Sequence, residues 1–430
     1  MAKNASNRSG VWQSLRNAWK VQDIRKKLVY TFAMLIVFRL VGVIPAPGVD
    51  YASVQAQMGT DSLPVFDLVN MMTGSNFQNM TIMAMGITPY INASIIMQLL
   101  TIAIPALERL QKSGPDGQKK IAKITRYVTV GLAVVQAIGL TASLNVIRDG
   151  WFNTVLVGVS MAGGTALAMW IGERVTEKGI GNGISMLIFA GIISNLFTGI
   201  VSLLSNAFTA VSITPWLNLL AVLLLALVMI VLITFVDMGV RRINVHFARR
   251  VSGRKMYGGQ NSIIPIRVVS VGVLPLIFAY SFMAFPGTII QLAGSESAVA
   301  VWWARYMHQA SPLYLSVTAL LIIAFTYFYT SISFQPDEMA KNLQQQGGAI
   351  SSVRPGPATA EYLKRINNRL TLFAALFLAV LATVPTLFTV GLNTQIPFAA
   401  SSLLIAVSVV LETKRQLDDL LVSRNYDSIS

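Results

Sequence analysis

The chain has 430 residues, of which 54% are hydrophobic and only 12% are charged, about half the charged fraction of an average soluble domain. So few charges cannot cover the surface of a water-soluble protein of this length, which indicates that lipid surrounds much of the chain. The absence of cysteine excludes disulfides and thiol chemistry, and the two histidines lie far apart, outside the apolar segments. We therefore expect no cofactor and no metal site.

Ten apolar stretches, most of them roughly 17–25 residues long, have the length of membrane-spanning helices. They predict an all-α polytopic membrane protein, with five spans in residues 28–204, a connecting segment at 205–215 and five spans in residues 216–411. Because each set is odd in number, the second set enters the membrane from the opposite side, as in an inverted repeat. The predicted spans are Leu28–Ile44, Thr81–Ile104, Tyr127–Leu144, Phe152–Ile171, Ile184–Leu204, Leu217–Val236, Val268–Leu292, Tyr314–Phe334, Thr371–Val390 and Phe398–Leu411. The last span is short, and a start near Leu392 is the alternative.

The basic residues predict the orientation of these spans. With the N-terminal segment 1–27 inside, 30 of the 33 Lys and Arg residues lie in inside segments, and only Arg148 and Arg305 lie outside. Such an asymmetry follows the positive-inside rule and places both termini, including the tail 412–430, in the cytoplasm. The remaining basic residue is Arg39, inside the first span, which either extends to the outer interface or takes part in helix packing or gating.

The span interiors contain essentially no acidic residue, which argues against an ion-coupled transporter, because such a protein binds its coupling ion at intramembrane carboxylates. No P-loop motif is present either. The segment Gly179–Gly183 is rich in glycine but lacks phosphate-loop spacing, so close helix contact is the favoured interpretation and phosphate binding the alternative. Any transport must therefore be driven by a gradient or by a partner.

The segment between the first two spans, residues 50–80, contains no Lys or Arg. Its centre, Leu63–Gly74, has apolar residues at helical spacing but is too short to cross a membrane. Two interpretations stay open at this point. The segment is either an external loop packed on the surface or a short re-entrant helix, which needs protein or a water-filled cavity around it.

Two predicted inside segments, residues 237–265 and 335–368, are too long to be simple connections. The second contains the turn Arg354-Pro355-Gly356-Pro357. Clustered arginines beside glycine and aromatic residues favour a docking surface, because guanidinium binds phosphate and carboxylate groups bidentately. Plain topological charge is the alternative. The basic residues of the two segments considered for docking are Arg241, Arg242, Arg249, Arg250, Arg254, Lys255 and Arg354.

Several long stretches, in order along nearly the whole chain, make it resemble the bacterial SecY family, the central subunits of protein-translocation channels. The resemblance implies two five-helix halves around an hourglass pore whose waist is sealed by aliphatic side chains. The stretches that carry it are Gly86–Leu100, Gly172–Ser185, Gly253–Gln260, Phe334–Glu338 and Arg354–Leu363.

The resemblance also implies roles for particular residues. The pore ring corresponds to Ile87, Ile91, Ile188, Ile277 and Ile405, with Ile184 and Leu274 close by. A plug that blocks the outer funnel corresponds to Pro64, Val65, Phe66, Asp67, Leu68, Val69, Asn70, Met71 and Met72, which favours the re-entrant interpretation. A lateral gate between spans two and three and spans seven and eight includes Asn92, Gln98 and Phe285. The basic inside segments correspond to the surface that binds the motor or the ribosome.

The function implied is a passive protein-conducting channel in the bacterial cytoplasmic membrane, which passes unfolded preproteins and releases membrane helices into lipid. The implied partners are the SecE and SecG subunits, the SecA motor ATPase, the ribosome, signal peptides and nascent polypeptides. Two other functional classes would require different features of the sequence. A small-solute transporter would need polar binding residues near the midplane, and a scaffold without a pore would need neither the plug segment nor two arginine-rich segments.

Overall fold

The structure, a computed structural model, describes residues 16, 19–50, 54, 73–74, 76–143, 147, 150–209, 213–247, 250–252, 255–257, 261–270, 272, 274–292, 298–307, 311–350, 353–392 and 400–427. The helices of the first 237 residues are α1 Gln22–Val41, α2 Thr88–Ala103, α3 Pro105–Lys112, α4 Pro115–Ser143, α5 Trp151–Lys178, α6 Gly183–Thr209 and α7 Thr214–Asp237. The strands are β1 Val240–Phe247, β2 Arg250–Ser252, β3 Lys255–Tyr257, β4 Asn261–Arg267 and β5 Gly348–Ile350. The later helices are α8 Leu274–Leu292, α9 Ala298–Tyr306, α10 Pro312–Ser333, α11 Pro336–Gln345, α12 Pro357–Leu392 and α13 Ala400–Asp427.

Each of the ten predicted spans overlaps one long helix, and the predicted all-α membrane fold is confirmed. Among the described residues, six helices (α4, α5, α6, α7, α10 and α12) are long and apolar enough to cross a membrane. Helices α2 and α3, bent by 101° at their junction, make a seventh if the pair is one span. Helices α1 and α13 also carry several charges, because each continues beyond its apolar part. The count of ten spans stays a prediction.

Two predicted helix starts are wrong. The second span was predicted from Thr81, but residues 82–87 form turns and α2 begins at Thr88. Gly86 has φ +50, and Pro89, which lacks an N–H donor, occupies the first turn of the helix. The seventh span was predicted from Val268, but residues 268–270 form a turn and α8 begins at Leu274. Hydropathy cannot distinguish these turns from the helices that follow them, because turns buried inside a membrane protein are as apolar as its helices.

The chain divides into two compact units, the first of which comprises Met1–Pro215, Ala284–Trp303 and Ile405–Ser430. Within this unit α5 packs against α1, α4 and α6, and α2 packs against α4. A fully buried cluster joins residues before α2 to helices α4 and α5. Its members include Phe77, Met80, Ala137, Val157 and Met161.

The second unit comprises Trp216–Met283 and Ala304–Leu404, with α10 packed against α12. The two long inside segments are joined in one sheet, which the sequence did not predict, because β1 from the first pairs with β5 from the second in a sheet of order β4-β1-β5. The antiparallel register places Val245 opposite Ile350. Both are buried with Ile243, Ile266 and Leu363 of α12, so the two segments share one apolar core.

Candidate channel lining and docking surface

The second predicted span places two of the predicted ring isoleucines at the start of α2. Ile87 occupies the N-cap position, and its carbonyl oxygen accepts a hydrogen bond of 3.1 Å from the N–H of Ile91. The two side chains are therefore one helical turn apart on the same face. Both side chains are buried within the first unit.

Two further ring candidates also belong to the first unit. Ile188 lies on α6, one turn after Ile184, and is buried, whereas Ile184 is partly exposed. Ile405 lies near the start of α13 and is buried. Four of the five predicted ring residues are thus buried isoleucines of one unit, and all four lie within the first two turns of a helix or at its cap.

The fifth ring candidate belongs to the second unit. Ile277 and Leu274 both lie in the first turn of α8, and both are partly exposed. The neighbouring Phe278 packs edge-to-face against Phe325 of α10, with ring centroids 5.9 Å apart. This aromatic contact joins α8 to α10 next to Ile277. A ring assembled from both units stays a prediction.

The predicted gate residues differ in their surroundings. Asn92 of α2 is buried, and its Oδ1 has no hydrogen-bond partner in the described part of the chain. Gln98, six residues further on, is exposed. The helical spacing turns the two side chains about 120° apart, so they cannot serve the same contact. Phe285 lies in α8 directly before Pro286, which interrupts the helix hydrogen-bond ladder.

The predicted plug, residues 64–72, lies outside the described residues, but its C-terminal flank is described. Arg39 of α1 donates a hydrogen bond of 3.1 Å from Nη1 to the carbonyl oxygen of Gly74. Gly74 has φ +72, and a Cβ there would come within 3.0 Å of the Cα of Gly191 on α6. Of the two interpretations of Arg39, the structure supports helix packing, because its guanidinium ties α1 to the segment that precedes α2.

Three of the predicted docking arginines are described in full and point outwards. Arg241 and Arg242 begin β1 and are exposed, while Ile243 after them is buried. Arg354 is exposed in the turn before α12, where its carbonyl oxygen accepts a hydrogen bond of 2.9 Å from Thr359 Oγ1. None of the ion pairs found among the described residues involves these three guanidinium groups.

The sheet brings these arginines onto one body, which the sequence did not predict. β1 carries Arg241 and Arg242, and β5 leads through a short segment to Arg354. The other candidates are placed less completely. Arg250 of β2 pairs with Tyr257, and Lys255 of β3 pairs with Ser252. Arg249 and Arg254 lie outside the described residues.

Comparison with known proteins assigns the family. The SecY family profile matches residues 81–414, more than three quarters of the chain. This chain belongs to the SecY family. Among curated relatives, "Protein translocase subunit SecY" of Streptomyces scabiei is 41% identical over 95% of this chain and 98% of its own length. The protein of the same name from Halalkalibacterium halodurans is 39% identical over 97% of this chain and 99% of its own length.

Solved structures of the SecY and Sec61 channels share the fold of this SecY-family chain. A protein-conducting channel superimposes with a TM-score of 0.70 at 21% identity, covering 94% of both chains. Sec61 in a canine ribosome–channel complex superimposes with a TM-score of 0.66 at 19% identity, again covering 94% of both chains. The similarity extends over nearly the whole chain.

Sequence reasoning missed a set of polar residues around the Gly179–Gly183 loop between α5 and α6. The loop N–H groups are bound by side chains of Thr31, Thr176 and Gln416, which come from three different helices. Asn182 within the loop caps the start of α6. Among these, only Asn182 carried a local signal, since asparagine before a helix start is a common cap.

Proposed function

We propose that this chain is the channel subunit of a protein-translocation complex. It passes unfolded preproteins across the bacterial cytoplasmic membrane and releases membrane helices sideways into lipid. The relation that carries the proposal is the 41% identity to a protein translocase subunit across 95% of this chain. The shared fold, at TM-score 0.70 with a protein-conducting channel, supports it.

The isoleucines at 87, 91, 188, 277 and 405 form the proposed constriction. A narrow ring of apolar side chains dewets and so resists the passage of ions. Such a ring also has no fixed hydrogen-bond donor or acceptor, so it does not select among passing polypeptide sequences. The plug at 64–72 closes the outer side until a substrate displaces it, and the polar Asn92 lies at the gate, where hydrogen bonds can be broken and remade.

The channel itself is passive in this proposal, and a partner supplies the energy. The motor ATPase SecA or the ribosome docks on the body formed by β1, β5 and the turn before α12, whose arginines are exposed and form no ion pair with another described residue. Unpaired guanidinium groups are suited to acidic side chains or to RNA phosphate. The SecE and SecG subunits complete the complex, and both termini of this chain lie in the cytoplasm.

A crosslinking experiment tests the channel assignment. A photoreactive amino acid replaces Ile277, and a secretory protein is halted midway through translocation by a folded domain at its C-terminus. We expect an ultraviolet-dependent adduct between the channel and the halted chain. An identical amino acid at Leu224 is the control, because Leu224 is 61% exposed on the apolar helix α7 of the same unit and faces lipid in the proposal.

The two positions give opposite expectations. Crosslinking at position 277 together with none at 224 supports a polypeptide path lined by α8. Equal crosslinking at both positions indicates only that the substrate lies in the lipid nearby. No crosslink at 277, with translocation intact, overturns the assignment of this residue to the path. Uptake of a small solute by liposomes containing the purified protein alone would favour a solute transporter instead.

A further inference from the structure

The Gly179–Gly183 loop resembles an anion-binding site, but side chains of the same protein accept hydrogen bonds from its N–H groups. N–H groups at a helix N-terminus commonly bind phosphate. Here the N–H of Ile180 donates to Thr31 Oγ1 of α1 at 3.0 Å. The N–H of Gly181 donates to Gln416 Oε1 of α13 at 2.9 Å. The loop is therefore a junction between helices, and these N–H groups are not available to an anion.

Hydrogen bonds to side chains also involve the end of the loop and the start of α6. The N–H of Gly183 donates to Thr176 Oγ1 of α5 at 2.8 Å. Asn182 Oδ1 accepts from the N–H groups of Ile184 and Ser185 at 3.1 and 3.3 Å, which caps α6. The N–H groups of Ile180 and Gly183, on the two sides of Gly181, are thus both hydrogen-bonded. The loop therefore has a fixed shape that presents the Gly181 N–H to α13.

Helix α13 contacts the junction over more than one turn. Leu417 is buried against Ile24 of α1 and Ile180 of the loop. One turn earlier, Thr413 Oγ1 lies 3.8 Å from the sulfur of Met186 on α6. Gly181 has φ +86, and a Cβ there would come within 3.2 Å of Thr413 Oγ1. An apolar contact and a hydrogen bond thus both attach the C-terminal part of α13 to the other helices of the first unit.

The same helix carries a residue of the proposed constriction. Residues 400–404 belong to the second unit, whereas α13 from Ile405 onwards belongs to the first. Gln416 follows Ile405 by eleven residues, which on an α-helix is about 16 Å and leaves the two side chains about 20° apart around the axis. A rotation or shift of α13 that breaks the contact of Gln416 would therefore displace Ile405 by the same angle or distance.

We propose that Gln416 is a positioning residue, which fixes the rotation and height of α13 through the N–H of Gly181 and so sets the place of Ile405 in the pore ring. The proposal rests on the proposed channel function for its effect on the ring, but the contact at Gly181 does not depend on that function. The bond joins residues 235 positions apart, so it orders the end of the chain against the middle of the first unit.

Hydrogen exchange tests the contact itself. In Gln416→Leu the acceptor is lost, and we expect the peptide spanning residues 179–185 to exchange at least several-fold faster by mass spectrometry of the protein in lipid nanodiscs. Gln416→Glu keeps an acceptor oxygen at the same reach and should exchange like the unmodified protein. Gln118→Leu, an exposed glutamine on α4, is the matched control. Exchange in Gln416→Leu that equals the control overturns the anchor.

Ion flux tests the consequence for the ring. Vesicles containing the resting channel with Gln416→Leu should leak chloride several-fold faster than those with Gln416→Glu or Gln118→Leu, at equal amounts of folded protein. A purely structural role would lower the folded amount without raising the leak per folded channel. If Gln416→Leu is poorly folded, the shorter amide of Gln416→Asn gives the same test with a smaller change.

The two measurements separate failure of this inference from failure of the channel assignment. Faster exchange with unchanged leak overturns the positioning of Ile405. The double variant Ile87→Gly, Ile91→Gly serves as the positive control for leakage, because it opens the proposed constriction directly. If that variant does not leak, the proposed pore ring is wrong, while the exchange result still decides whether Gln416 anchors α13.

Discussion

Two glycine-containing turns that precede helices, Gly179–Gly183 before α6 and Arg354–Gly356 before α12, use their polar groups in opposite ways. In the first, side chains from α1, α5 and α13 bind the N–H groups, so little is left for a ligand. In the second, the Arg354 guanidinium is exposed and has no ion-pair partner among the described residues. Buried polar groups that are hydrogen-bonded within the chain indicate a structural junction, whereas an exposed guanidinium is available to a partner, as the proposed docking requires.

The largest effect is expected from reversing the charge of Arg354. Arg354→Glu should lower motor-driven or ribosome-driven translocation by about 100-fold, since loss of one member of a desolvated charge pair costs about 2–5 kcal/mol. The measurement is protection of a preprotein inside inverted membrane vesicles. Lys364→Glu is the control, because Lys364 is also exposed, lies ten residues further along on α12 and changes the net charge equally.

The loss of translocation in Arg354→Glu supports docking only if this variant folds normally. The exposed Arg354 side chain forms no hydrogen bond or ion pair with another described residue, so the melting temperature of Arg354→Glu should equal that of the unmodified protein. An equal loss of translocation in Arg354→Glu and Lys364→Glu would mean that only total charge matters. The plain topological interpretation of these basic residues would then be the correct one.

The next largest effect is expected in the junction. In Gly183→Ala the new Cβ would overlap the carbonyl oxygen of Gly172, where α5 and α6 approach closely. We expect a loss of about 2–3 kcal/mol in the free energy of unfolding, as for other overpacked sites. Gly163→Ala is the control, since a Cβ at this α5 position meets nothing within 4 Å. Equal thermal melting of the two variants in nanodiscs would contradict the close approach.

The sequence predicts those features of the fold that produce a pattern among neighbouring residues. The long helices follow from runs of apolar residues, and the exposed arginines proposed for docking follow from their clustering in segments without apolar runs. The starts at Thr81 and Val268 were wrong, because the turns that precede α2 and α8 are as apolar as the helices themselves. The sheet that joins β1 to β5 was missed, because β5 has only three residues and its partner strand lies about a hundred residues earlier.

The residues of the candidate channel lining produce no such local pattern. The ring isoleucines have no distinguishing pattern of their own, and only the family resemblance selected Ile87, Ile188 and Ile405 from the many apolar residues of the spans. Gln416 was missed, since a single side-chain contact to a backbone N–H 235 residues away has no periodicity to detect. Contacts of this kind become visible only when the whole backbone has been placed.

A smaller effect is expected at Thr31, which accepts from the N–H of Ile180 and donates to the carbonyl oxygen of Lys27 at 3.0 Å. Thr31→Val keeps the shape but leaves the buried N–H without an acceptor, at a cost of about 1–2 kcal/mol in the free energy of unfolding. Thr31→Ser keeps the hydroxyl and should lose less. Thermal melting checks both variants, and a Thr31→Val protein as stable as Thr31→Ser would show that water replaces the lost acceptor.

The smallest effect comes from salt, and it separates the two turns without any substitution. Raising the ionic strength from 0.1 M to 1 M shortens the Debye length from about 10 Å to about 3 Å. Binding of the partner to the exposed arginines should weaken several-fold, as measured by cosedimentation of the motor with channel vesicles. The stability difference between Thr31→Val and Thr31→Ser should stay the same, because buried hydrogen bonds to neutral groups are hardly screened. A salt-independent partner affinity would mean that apolar contacts, not Arg241, Arg242 and Arg354, dominate the docking surface.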